Sequence, residues 1–150
     1  MVVFLYAQPA EANYPGKPGK IAYAGGDGTT LAIYTIEPNG RGKRPLTAKG
    51  ANNREPTYSP SGKRIAYVGY DGKELEIYTI KVSGGGRINV TNNSSDDLYP
   101  SYSPSGMKIA YVNYVTGTDG EIYTIKPDGG GKHRVTNNAS NDRNPYWGSQ

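Results

Sequence analysis

The chain has 150 residues, no cysteine, 35% hydrophobic residues and a formal net charge of +4. This length suits a single domain. The lack of cysteine excludes disulfides, thiolate metal sites and a cysteine nucleophile, and no apolar run approaches the roughly 20 residues that a membrane-spanning helix needs.

The first segment, residues 1–17, reads as an arm. Val2-Val3-Phe4-Leu5-Tyr6 followed by Ala7-Gln8-Pro9-Ala10-Glu11-Ala12 has the character of the end of a secretory signal, but its apolar part is short and no basic segment precedes it. A loosely ordered arm, a signal remnant and an added edge strand all remain open.

From residue 18 to 150 one motif recurs with a spacing of about 44 residues, in approximate repeats 18–58, 59–102 and 103–147. Ile21-Ala22-Tyr23 returns at Ile65-Ala66-Tyr67 and Ile109-Ala110-Tyr111. Pro56-Thr57-Tyr58 returns at Pro100-Ser101-Tyr102 and Pro145-Tyr146-Trp147. The middle copy reads as four short strands. Glu55 to Ser59 is extended and ends at the turn Pro60-Ser61-Gly62. Arg64 to Tyr70 is β-branched and aromatic. Leu75 to Val82 follows a turn at Asp71-Gly72-Lys73, and Arg87 to Thr91 follows Ser83-Gly84-Gly85-Gly86. Ile65 and Tyr67 take one face of their strand, and Ala66 and Val68 the other. A sheet apolar on both faces must be covered on both, which stacked copies of itself achieve. The fourteen tyrosines add to that core, because each ring can be buried while its hydroxyl finds a polar partner.

Four-stranded antiparallel sheets at this period predict an all-β fold, a β-propeller with three blades per chain. The runs Pro56-Thr57-Tyr58-Ser59-Pro60-Ser61-Gly62, Arg64-Ile65-Ala66-Tyr67, Glu76-Ile77-Tyr78-Thr79-Ile80 and Val90-Thr91-Asn92-Asn93 resemble the WD-repeat-like blades of the TolB family. Ser61 and Ser105 stand where that family usually has aspartate, and Tyr58 and Tyr102 where it usually has tryptophan. The resemblance implies a six-bladed ring, a binding or scaffold role without catalysis, and an exported, periplasmic location.

Three blades supply half of such a ring, so a homodimer of 2 × 3 blades is expected to close it. Pro145, Tyr146 and Trp147 read as an inner strand that completes the partner's first blade beside Ile21 and Tyr23. Glu11-Ala12-Asn13-Tyr14 aligns with Glu55-Pro56-Thr57-Tyr58 and competes for the same slot.

The longest loops, Lys49 to Glu55, Asn92 to Tyr99 and Asn137 to Asn144, are expected at the mouth of the channel, where binding residues gather on a rigid scaffold. Arg54, Glu55, Asp96, Asp97, Asp142 and Arg143 are the candidate ligand-binding residues there. Asp96, Asp97 and Asp142 are oxygen donors suited to calcium, set against the plainer reading as turn-forming residues. Charges sort by face, with Lys63, Lys108, Arg87 and Lys132 on one side and Asp71, Glu74 and the loop aspartates on the other; solvated turns repeated three times are the favoured explanation, ahead of steering of charged partners. His133 has no second ligand in sequence, and Ser59, Ser61, Ser103 and Ser105 belong to repeated turns. No catalytic constellation or cofactor motif stands out. The expected partners are a second copy of the chain and a protein or peptide, rather than nucleic acid. A propeller enzyme with a channel metal is the competing expectation, followed by a fragment or half-propeller that only self-assembles.

Overall fold

The structure, a computed structural model, describes residues 19–26, 30–115 and 119–148. The arm 1–17, with its alternative inner strand Glu11 to Tyr14, lies outside the described residues. Three antiparallel sheets follow one another along the chain. The first holds β1 (Ile21–Gly26), β2 (Leu31–Ile36) and β3 (Arg44–Pro45). The second holds β4 (Arg54–Tyr58), β5 (Arg64–Tyr70), β6 (Leu75–Lys81) and β7 (Ile88–Asn89). The third holds β8 (Asp96–Tyr102), β9 (Ile109–Tyr114), β10 (Glu121–Ile125) and β11 (His133–Arg134). Each is one propeller blade, and the first lacks an inner strand among the described residues.

Register follows from the repeated aromatic pairs. Tyr23 faces Tyr34, Tyr67 faces Tyr78 and Tyr111 faces Tyr123, with ring centroids 5.6, 5.7 and 5.9 Å apart. Cross-strand aromatic pairs stabilise a ladder beyond simple burial. A cation caps the second ring of each pair: Lys43 at 4.6 Å, Arg87 at 3.9 Å and Lys132 at 4.9 Å from the centroids.

The two apolar faces of β5 are used on opposite sides. Ile65, Tyr67, Tyr78 and Ile80 pack with Ile33, Leu46, Ala22 and Ala24 of the first blade. Ala66, Val68, Ile77 and Val90 pack with Tyr102, Ile109, Tyr111 and Ile125 of the third. Ile65, Ile77 and Ile109 are wholly buried, each contributing roughly 1.5–3 kcal/mol relative to exposure.

One class of element differs from expectation. The outer strands contribute only two residues each to the ladder, where Arg87 to Thr91 predicts five. The Val90 N–H still reaches the Ile77 carbonyl at 2.8 Å, but the Ile77 N–H then bonds the Thr91 hydroxyl at 3.0 Å. A side chain has taken the place of the next backbone partner. Pro145 to Trp147 form no ladder within the single chain.

The serine-rich turns are structural. The Arg64 N–H donates to Ser59 Oγ and the Lys108 N–H to Ser103 Oγ, both at 3.1 Å, and Gly62 and Gly106 close the turns at positive φ.

Candidate functional site

The inner strands β4 and β8 carry the loop residues expected at the channel mouth. Each has a register shift, between Arg54 and Thr57 and between Leu98 and Ser101. At each shift one non-glycine residue takes a left-handed backbone: Glu55 at φ 55° and Tyr99 at φ 58°. Non-glycine residues rarely adopt this conformation without support. Here the Tyr99 N–H donates to Glu55 Oε2 at 2.8 Å, so the bulge of one blade fastens that of the next. Asn144 holds the equivalent place in the third copy and has φ 52°.

The predicted ligand residues do not converge. Glu55 serves Tyr99 and lies 3.9 Å from Arg54 as a loose ion pair. Asp96 accepts the Leu75 N–H at 2.9 Å. Asp142 accepts the Asn138 side-chain amide at 2.9 Å, and Arg143 is exposed. Among the described residues no group of three or more carboxylates, histidines and cysteines is placed to hold a metal ion. His133 is exposed on β11.

Asp97 departs furthest from an exposed loop residue, since it is wholly buried. Its Oδ1 accepts the Asn113 amide and its Oδ2 the Asn93 amide, both at 2.6 Å. Burial raises its pKa to about 7, against the pull of those donors, and the nearby Glu76 adds to the rise. Glu76 is also buried. It accepts the Asn93 N–H at 2.7 Å and the Thr91 hydroxyl, and burial pushes its carboxyl upward too.

The third blade repeats the carboxylate in a different setting. Glu121 accepts the Thr136 hydroxyl at 2.6 Å and the Asn138 N–H at 2.9 Å, and pairs with Arg134 at 3.0 Å. The hydroxyl, the N–H and the guanidinium hold it below the usual glutamate range. This glutamate–threonine–asparagine unit is visible in the aligned repeats once the positions are compared, as Glu76, Thr91 and Asn93 against Glu121, Thr136 and Asn138.

The residues expected at the assembly interface fall into two groups. Ile21 and Tyr23 lie on β1, the edge strand of a sheet without an inner neighbour among the described residues, and Ile21 is 51% exposed. Pro145 and Trp147 are partly buried, Tyr146 is 91% exposed, and the Trp147 indole N–H donates to the Ser101 carbonyl of β8 at 3.1 Å. The segment from Asn144 to Trp147 thus shares the left-handed residue of the inner strands and contacts β8 through Trp147, without a ladder.

A sequence profile described as the TolB beta propeller domain matches residues 19–150. The fold is similar to that of TolB from Acinetobacter baumannii, with a TM-score of 0.72 and 26% identity over 83% of this chain and 32% of that one. It is also similar to a putative TolB from Agrobacterium tumefaciens, with a TM-score of 0.71 and 24% identity over 77% of this chain and 44% of that one. The chain therefore spans less than half the length of either protein. An oligogalacturonate lyase from Vibrio parahaemolyticus shares the fold at a TM-score of 0.56 and 18% identity, over 71% of this chain and 30% of that one. No curated protein sequence matches the chain.

Proposed function

We propose that this chain, which belongs to the TolB beta propeller domain family, is a non-enzymatic scaffold whose ring closes with a second copy and whose loop face binds a protein or peptide. The observation that carries the proposal is the pairing of a free edge with an unladdered inner segment. β1 lacks an inner neighbour among the described residues, while Asn144 to Trp147 repeats the sequence of one and its left-handed residue at Asn144. Applying the β8–β9 register to them sets Trp147 of one copy opposite Ile21 of the other, Tyr146 opposite Ala22 and Arg143 opposite Ala24. Strand addition of this kind covers an otherwise exposed edge.

A binding role is favoured over catalysis because the loop carboxylates are already engaged. Glu55, Asp96, Asp97 and Asp142 each accept hydrogen bonds that hold the loops. That leaves the exposed parts of those loops, Arg143 among them, for recognition, on a rigid base. Family membership favours a periplasmic location.

Light scattering on a sizing column tests ring closure. The chain weighs 16.1 kDa, so a mass near 2 × 16.1 = 32.2 kDa is expected. A folded species at 16.1 kDa would overturn it.

A further inference from the structure

The first blade departs from its sisters at one chemically important place. In the second and third blades a glutamate carboxylate binds a threonine hydroxyl and a backbone N–H two residues beyond that threonine. The corresponding residues of the first blade are Ala32, Thr47 and Lys49, so the carboxylate is missing.

The donor frame persists without it. The Ile33 N–H donates to Thr47 Oγ1 at 2.9 Å, matching Ile77 to Thr91 at 3.0 Å and Ile122 to Thr136 at 2.9 Å. The Leu46 N–H reaches the Ile33 carbonyl at 2.8 Å, as Val90 reaches Ile77 and Val135 reaches Ile122. Thr47 Oγ1 accepts from both the Ile33 N–H and the Asn53 amide, the latter at 3.0 Å, which leaves the hydroxyl its own proton to give. Beside Ala32 opens a cavity of about 300 Å³, lined also by Gly25, Tyr34, Lys43, Lys49 and Gly50. Lys43 and Lys49 line it together with Gly26 and Thr30, and among the described residues no carboxylate does. Lys43 is held over the Tyr34 ring at 4.6 Å.

We propose that this cavity is a carboxylate-binding site, with Lys43 and Lys49, which line it, as counter-charges, and with the Thr47 hydroxyl and the Lys49 N–H, which the repeat sets beside Ala32 although Thr47 lies outside the lining, as donors. It restores from outside the group that Glu76 and Glu121 supply from within. Charge-assisted hydrogen bonds from a preformed frame favour an anion of this shape. Two sources carry the same chemistry. One is a free small carboxylate. The other is Asp142 of a second copy, which the β8–β9 register sets opposite Gly25, as Asp97 faces Asn113; this source alone rests on the ring reading above.

The test is an acetate titration at constant ionic strength, followed through the backbone amide resonances of Lys49 and Gly50. It is run on the native chain and on Asp142→Asn. Saturable shifts in the native chain identify a free carboxylate as the ligand. Saturable shifts only in Asp142→Asn identify the second copy as its source. In Ala32→Glu, which installs the sister-blade side chain, both responses are expected to vanish. The double variant Lys43→Ala/Lys49→Ala is expected to weaken binding about tenfold or more, a check that does not depend on how Ala32→Glu folds. Absence of a saturable shift in both the native chain and Asp142→Asn would overturn the site, as would undiminished binding in Ala32→Glu. A monomeric mass removes the second source and leaves the acetate arm standing.

Discussion

Glu76 on β6 and Asp97 on β8 belong to different blades, are both sealed from solvent, and are joined through one residue. Asn93 gives its backbone N–H to Glu76 and its side-chain amide to Asp97. Two carboxyls sharing a buried junction cannot both ionise cheaply, because burial penalises each charge and each charge repels the other. The raised Asp97, Glu76 and Tyr111 groups express that cost; burial, then Asp97, pushes the Tyr111 hydroxyl up. Thr91, Asn93 and Asn113 supply the neutral donors that offset part of it.

Stability should therefore depend on pH through this junction. Folded Asp97 holds its proton up to about 7, against an ordinary value of 3.8. Between those values the folded chain binds more protons than the unfolded one, so Asp97 makes stability fall as pH rises and level off above about 7. The slope is at most about 1.4 kcal/mol per pH unit. Asp97→Asn should remove it, because Asn53 fills the equivalent place in the preceding copy and the unpartnered Asn113 Oδ1 can turn to accept its amide. Thermal midpoints from pH 4 to 8 should show the variant flatter than the native chain and more stable at the alkaline end. Parallel curves would refute the assignment.

Thr91 accepts the Ile77 N–H and donates to the buried Glu76. Thr91→Val leaves both without their partner and should cost about 1–3 kcal/mol. Thr47→Val loses the Ile33 bond and the Asn53 amide contact at 3.0 Å, but strands no carboxylate, so its cost should be smaller. Urea unfolding of the two variants checks the order, and equal costs would mean the Glu76 contact adds nothing.

Gly69 lies on β5 where an added Cβ would come within 2.8 Å of Asn53 Oδ1 and 2.9 Å of the Tyr78 ring. Gly69→Ala should cost about 1–3 kcal/mol through overpacking. A loss of urea midpoint with unchanged slope is expected, and a neutral result would show that the ring and the amide can both yield.

The proposed strand addition can be read by cross-linking in this cysteine-free chain. The Ser59 N–H bonds the Arg64 carbonyl, and the Ser103 N–H the Lys108 carbonyl. The neighbouring pairs Tyr58–Ile65 and Tyr102–Ile109 are therefore non-hydrogen-bonded positions, with Cα atoms about 4.5 Å apart, a separation a disulfide tolerates. By the repeat, Ile21→Cys with Trp147→Cys should oxidise to a covalent dimer, and Ala22→Cys with Trp147→Cys should not. A dimeric mass with equal cross-linking in both would refute the register and leave ring closure intact.

Much of the blade was legible in the residues. The tyrosines at fixed positions announced a packed core, though not that they pair ring to ring, and the repeated serines were read as turn residues. The loop aspartates were misread in one respect, because Asp96, Asp97 and Asp142 look alike in sequence. Only the packing separates them: Asp97 is closed between blades, while Asp96 and Asp142 stay at the rim.

The sequence by itself determined the all-β blade and its period, since alternation on both faces of Arg64 to Tyr70 demands neighbours on both sides. Tertiary structure alone decided which charges are buried and that a cavity opens beside the alanine that replaces a carboxylate. That division has a physical cause. Strand periodicity is a local property of the chain, whereas the burial that raises Asp97 and the cavity beside Ala32 and Lys49 arise from atoms brought together across blades and across the turns within them.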